Sequence, residues 1–196
     1  MSGFSGATAL AVAASGAFLV RLLPQPLRTL RTGHMAGVSA LAAMNAGIAD
    51  LAWLTYGLDR HLPAVWLVSI PALATSTWTV LLLRRAARRA DLALAGLWFA
   101  AIALSAVAGI LTVALAAGVL VCCGPAVYSA YTSTRPVGLS RWTWWLAVVD
   151  AGSWGAYGWV VGDRALELYG GVMLATAAAV LARLRHLRTA SSGALA

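Results

Sequence analysis

The stretch Ala52–Leu58, AWLTYGL, returns as SWGAYGW at Ser153–Trp159. Trp53 falls on Trp154, Tyr56 on Tyr157 and Gly57 on Gly158, each pair 101 residues apart. The same shift, without gaps, lays Pro24 on Pro125, Gly37 on Gly138, Ser39 on Ser140 and Arg84 on Arg185. Alanine coincidences mean little in so alanine-rich a chain. Matched Trp, Tyr, Gly and Pro at one offset mark an internal repeat.

The medium in which the repeat sits follows from composition. Of the 196 residues 61% are hydrophobic and 10% charged, with a mean hydropathy of +0.82. A soluble surface of this size needs far more charge. Several apolar runs reach or exceed the roughly 20 residues that cross a bilayer as a helix. The pattern predicts an all-α polytopic membrane protein with helices at 4–23, 38–57, 63–83, 91–107, 110–130, 141–161 and 166–184. Leu92 to Ala130 is too long for one crossing, and a turn is expected at 105–109. No basic residue precedes the run from Ala7 to Val20, so it reads as a permanent helix and not a cleaved leader. Residues 189–196 read as a disordered tail.

Net charge is +8, and the basic residues are all arginine. They sit in short clusters between apolar runs, a topology signal that argues against nucleic-acid binding. With the N-terminus outside and the C-terminus inside, 12 of the 14 arginines fall on the inner side. Arg60 and Arg164 alone lie outside, as the positive-inside rule asks of seven spans. The RRAARR run at 84–89 reads as an anchor, with contact to anionic lipid a modest addition.

The repeat unit is three helices. A copy following directly would be inverted, and one extra span restores parallel orientation. The expected plan is 3+1+3: a first three-helix bundle over 1–86, a linker helix over 87–109, and a second bundle over 110–188. A solute path between the copies is its natural consequence.

These residues resemble a known family. LPQPLRTLRTGHMAGVS (23–39) is similar to the PQ-loop signature, and the Trp-x-x-Tyr-Gly segments resemble those of SWEET sugar transporters and their half-sized SemiSWEET relatives. The 3+1+3 plan is that of full-length SWEET proteins. The resemblance implies facilitated, alternating-access transport of a small solute, a sugar before others. It implies hinges at Pro24–Gln25 and Pro125, where Ala126 stands in place of the second glutamine, and an inner gate closed by them. It implies Trp53 and Trp154 against the sugar ring. The family's cavity-facing asparagines map to Ser69 and Gly170, neither of which is Asn.

Two acids lie deep in predicted helices, Asp50 and Asp150. Asp50 is three residues before Trp53 and Asp150 four before Trp154, which places each acid near its tryptophan's face. Intramembrane carboxylates are costly and mark functional paths by default. Several readings stay open: a bond to Ser69, Thr75, Ser76 or Thr112, a protonated acid, a hydrogen-bond acceptor for a polyol, a partner for a cationic solute, or a proton carrier as in PQ-loop relatives that export amino acids. Asn45 is a further candidate for the cavity or for an interhelical bond. Tyr56 and Tyr157, with Asp59–Arg60 and Asp163–Arg164, are candidates for an outer gate or for solvated loop pairs. Trp142, Trp144, Trp145 and Trp159 read as an interfacial belt, and Cys122 and Cys123 as apolar packing.

No nucleophile–base pair, phosphate loop or metal-ligand spacing is present, so neither an enzyme, a cofactor nor a metal is expected. The expected partners are a small solute and the lipid bilayer of the cell membrane, with a second copy of the chain a further candidate. The alternatives to a sugar uniporter are a proton-coupled exporter of an amino acid or other metabolite, and a PQ-loop sensor without flux.

Overall fold

The computed structural model describes residues 6–22, 39–85, 87–132 and 141–193, and these form seven helices. They are α1 (Gly6–Leu22), α2 (Ala40–Asp59), α3 (Pro63–Leu83), α4 (Arg89–Val107), α5 (Leu111–Thr132), α6 (Arg141–Val161) and α7 (Arg164–Gly193). Every boundary except the last lies within two residues of its expectation. The α7 helix runs to Gly193, so the segment read as a disordered tail begins as helix. No glycine or proline interrupts the chain between Gly171 and Gly193, and without such a breaker the helix continues.

Local chemistry fixes the starts. Ser39 caps α2, its Oγ accepting from the Ala42 amide at 3.3 Å. Pro63 opens α3 where its missing N–H costs nothing. The Asp91 carboxylate accepts from the Arg88 amide at 2.9 Å and closes the first turn of α4. Asp163 caps α7, accepting from the Leu166 amide at 3.0 Å.

Three helix-to-helix corners share one construction. A left-handed residue is followed by an amide that reaches back five residues to a carbonyl, the six-to-one bond of a helix C-cap. At the first, His61 has φ 53° and the Leu62 amide donates to Gly57 at 2.8 Å. At the second, Gly109 has φ 71° and Ile110 donates to Ser105 at 2.9 Å, so the α4–α5 turn falls where it was expected. At the third, Gly162 has φ 72° and Asp163 donates to Gly158 at 2.8 Å. The first and third are 101 residues apart, position for position. Their glycines have a steric reason. A Cβ on Gly57 would stand 2.8 Å from the Trp66 nitrogen, and one on Gly158 would stand 2.7 Å from Leu166 Cβ.

In the first triple α3 packs on both α1 and α2; in the second α7 packs on both α5 and α6. Across the molecule α1 meets α6 and α2 meets α5. Exchanging α1–α3 for α5–α7 leaves this pattern unchanged. The unmatched α4 packs on α2 and α5.

Three of the described helices are long and apolar enough to cross a bilayer: α3, α4 and Arg164–Leu187 of α7. Gly6–Leu22 and Leu111–Gly124 are apolar but shorter. The α2 and α6 helices fall short because they carry Asn45, Asp50, Asp150 and several aromatic and glycine residues. On α4 the leucines face out while polar side chains are among those facing in: Leu97 and Leu104 are 68% and 69% exposed, and Ser105 is buried with Ile102 and Ala95. That inversion suits lipid contact. Trp142, Trp145 and Trp159 are exposed, but Trp144 is buried, because it falls on the inward stripe of α6 with Ala147, Asp150, Ala151 and Trp154. It belongs to the core and not to a belt.

Candidate functional site

Two cavities lie between the triples. The larger, about 530 Å³, has Ala46, Asp50 and Trp53 of α2 on one side and Thr143, Trp144 and Ala147 of α6 on the other. Leu22 and Thr143 belong to its wall, so it extends toward the end of the bundle where α1 stops and α2 and α6 begin. The smaller, about 50 Å³, is lined by Trp53, Ser69 and Trp154 among others. Phe18, Asp50, Trp53 and Tyr169 belong to both walls. Both repeat-matched tryptophans are therefore interior. Trp154 is buried and meets Tyr157 edge-on at 6.0 Å. Trp53 is half-buried and meets Tyr56 and Tyr169 edge-on at 5.8 and 5.6 Å.

The two acids have different surroundings. Asp150 is fully buried. Its Oδ2 lies 3.4 Å from Arg21 Nε and accepts from the Tyr169 hydroxyl at 2.9 Å. Arg21 also reaches the Tyr169 oxygen, at 3.4 Å, and stands over the Phe18 ring at 5.6 Å. A guanidinium from α1 thus neutralises a carboxylate on α6, with Tyr169 of α7 completing the cluster. The second carboxylate oxygen, Oδ1, makes no close hydrogen bond to a described residue. Asp50 is half-buried in the cavity wall and accepts from the Ser76 hydroxyl at 2.7 Å. That hydroxyl is among the four considered from sequence.

The end of the bundle bearing the 59–63 corner is joined differently. The Tyr56 hydroxyl, on α2, donates to Asp163 Oδ2 at 2.9 Å, so the cap of α7 also ties the two triples together. Arg60 lies over the Tyr56 ring at 5.6 Å. Asp59 and Arg60 form a loose, exposed pair at 3.8 Å. Arg164 does not pair with Asp163. It reaches Glu167 at 2.7 Å on the exposed surface, one turn along the same helix. Tyr157 is buried and makes no hydrogen bond to a described residue. Of the six candidates for an outer gate, Tyr56 and Asp163 bond to each other, Arg60 stacks beside them, and Asp59 and Arg164 are held in exposed pairs.

The remaining candidates separate. Ser69 borders the smaller cavity, but its hydroxyl is spent on the Val65 carbonyl of its own helix at 2.9 Å. Gly170 lines neither cavity. It lies where α7 crosses α6, and a Cβ there would stand 2.7 Å from Gly155 Cα. Its neighbour Tyr169 takes the wall position that the resemblance assigned to Gly170. Asn45 is buried on α2, its Oδ1 makes no hydrogen bond to a described residue, and it lies in neither wall. Pro24 and Gln25 lie outside the described residues. Pro125 falls within the α5 helix.

Sequence reasoning missed Arg21, Tyr169 and Phe18 as site residues. Arg21 carried a signal, because it lies inside an apolar run, yet its place near a helix end made a topology residue of it. Cys122 and Cys123 do pack in the interior, with Cys123 Sγ 3.9 Å from Met173 Sδ, but both also line the larger cavity.

Among solved structures the chain is similar to a eukaryotic SWEET transporter determined at 3.7 Å, with a TM-score of 0.69 over 93% of this chain and 97% of that one. Identity is 16%, so the likeness is one of fold. The chain has the fold of a SWEET transporter. No protein-family model and no curated protein matches it.

Proposed function

We propose that this chain is a membrane transporter that moves a small solute by alternating access between α1–α3 and α5–α7. The observation that carries the reading is the central cavity, walled by both triples, in a bundle whose triples are also joined by the Tyr56–Asp163 bond. In this reading residues 1–86 and 110–188 are the two parallel repeats and 87–109 the linker. The N-terminus faces out and the C-terminus in, at the plasma membrane. The cavity then faces the cytoplasm, and Tyr56–Asp163 is the closed outer gate. Pro24–Gln25 and Pro125 are the hinges of an inner gate, because proline removes the hydrogen bond that would stiffen the helix there.

A sugar is the solute class that the resemblance implies, and the Trp53–Trp154 pair in one small chamber supports it. The two interior acids favour a second reading, in which the cargo or a coupled proton carries positive charge. The test is counterflow in proteoliposomes. Saturable exchange that falls when Trp53→Ala or Trp154→Ala is introduced is expected. No exchange of any solute in a broad panel would leave a binding or sensing role in place of transport. Exchange that both alanine variants leave unchanged would remove the tryptophans from the site.

A further inference from the structure

We propose that the Asp50 corner of the central cavity recognises a protonated amine or quaternary ammonium on the transported solute. The proposal names a substrate class and rests on the transport reading of the same cavity.

Three interior charges decide it. Arg21 and Asp50 stand in the wall of the larger cavity, and Asp150 lies behind Arg21. Arg21 and Asp150 neutralise each other at 3.4 Å. Asp50 is left with the neutral hydroxyl of Ser76, and no described cation lies within ion-pair distance of it. Among the described residues in and directly behind the wall, two carboxylates stand against one guanidinium, one negative charge in excess. A carboxylate half-withdrawn from water among apolar side chains attracts a cation far more strongly than it would in bulk solvent.

The rings beside it suit the same class. Trp53 and Tyr169 share both cavity walls with Asp50, and their planes meet at 81° with centroids 5.6 Å apart. In an edge-to-face pair the edge of one ring meets the face of the other, and the ring faces left uncovered carry negative π-density. Such a corner holds organic ammonium groups by cation–π attraction. Phe18 is already covered by the Arg21 guanidinium, whereas no described cation is stacked on Trp53 or Tyr169. A neutral polyol gains less here, since the wall offers it few neutral donors and the Ser76 and Tyr169 hydroxyls are already bonded to acids.

Matched pairs test it on the purified full-length chain. Choline is titrated against its neutral isostere 3,3-dimethylbutan-1-ol, and glucosamine against N-acetylglucosamine, in thermal-shift assays. At least one cationic member should bind tenfold or more tightly than its partner. Asp50→Asn, which still accepts from Ser76, should abolish that preference, while Asp50→Glu should retain part of it. Equal binding within both pairs, binding in neither, or a preference that survives Asp50→Asn overturns the proposal. Counterflow separates it from the transport reading. Flux of neutral sugar alone overturns the amine site and leaves transport standing. Cation binding without flux does the reverse.

Discussion

The corner after α2 and the corner after α6 are built alike, residue by residue and bond by bond. Gly57 and Gly158 each accept from an amide five residues on at 2.8 Å, over a left-handed residue, His61 or Gly162. The interiors that these corners hold are not alike. Asp163 caps α7 and takes the Tyr56 hydroxyl, while the matching position in the first triple is Leu62. Arg21 matches Cys122, Tyr169 matches Val68, and Ser76 matches Ala177. The two acids are not counterparts: Asp50 matches Ala151 and Asp150 matches Ala49. The backbone geometry has been kept in both copies, because a Cβ at either corner glycine collides with the next helix. The polar groups are free of that constraint, and each of the two ties between triples is made once.

This asymmetry can be broken experimentally, and the largest effect is expected at the ion cluster. Asp150 is fully buried, so Arg21→Met should leave an uncompensated charge and cost about 3–5 kcal/mol. Asp50→Ala, at a half-buried site with only a hydroxyl partner, should cost clearly less. The double variant Arg21→Met/Asp150→Leu should recover most of the first loss. Thermal unfolding in detergent reads all three, and a loss for Asp50→Ala as large as that for Arg21→Met would show that the two acid sites are equivalent after all.

Next in size is the helix crossing. Gly170 matches Ser69, yet serine at 170 would drive its Cβ into the Gly155 backbone. Gly170→Ser should cost about 1–3 kcal/mol by overpacking; a neutral result would mean that α6 and α7 stand further apart. At the Tyr56–Asp163 contact, Tyr56→Phe removes a bond to a carboxylate and should cost about 1.5 kcal/mol. Tyr157→Phe, with no such bond to lose, should change stability by no more than a few tenths. The smallest effect is at the corners themselves. His61→Gly relieves a left-handed non-glycine residue and should stabilise by about 1 kcal/mol at most, whereas Gly162→Ala should destabilise by a similar amount.

Periodicity and punctuation made the helices legible. Apolar runs, arginine clusters and the 101-residue match located six of the seven helices to within two residues at both ends. The site was legible where chemistry was unusual for its surroundings. Two acids and two tryptophans in apolar runs pointed inward, and all four are found at the cavity or directly behind it. What could not be read was pairing. Arg21 reaches Asp150 across 129 residues of sequence, and its place inside an apolar run marks it as unusual without naming its partner. Gly170 and Tyr169 are adjacent, and one residue of rotation decides which faces solute and which faces α6. A resemblance that assigns a helix position cannot resolve that step.

The central claim is that solute passes between the two triples only when the Tyr56–Asp163 end can open. The direct test replaces Tyr56 and Asp163 with cysteine in a Cys122→Ser/Cys123→Ser background and bridges them with a short reducible dithiol-reactive crosslinker. Crosslinked protein in proteoliposomes should lose counterflow, and reduction should restore it. Full exchange through the crosslinked protein would contradict the account.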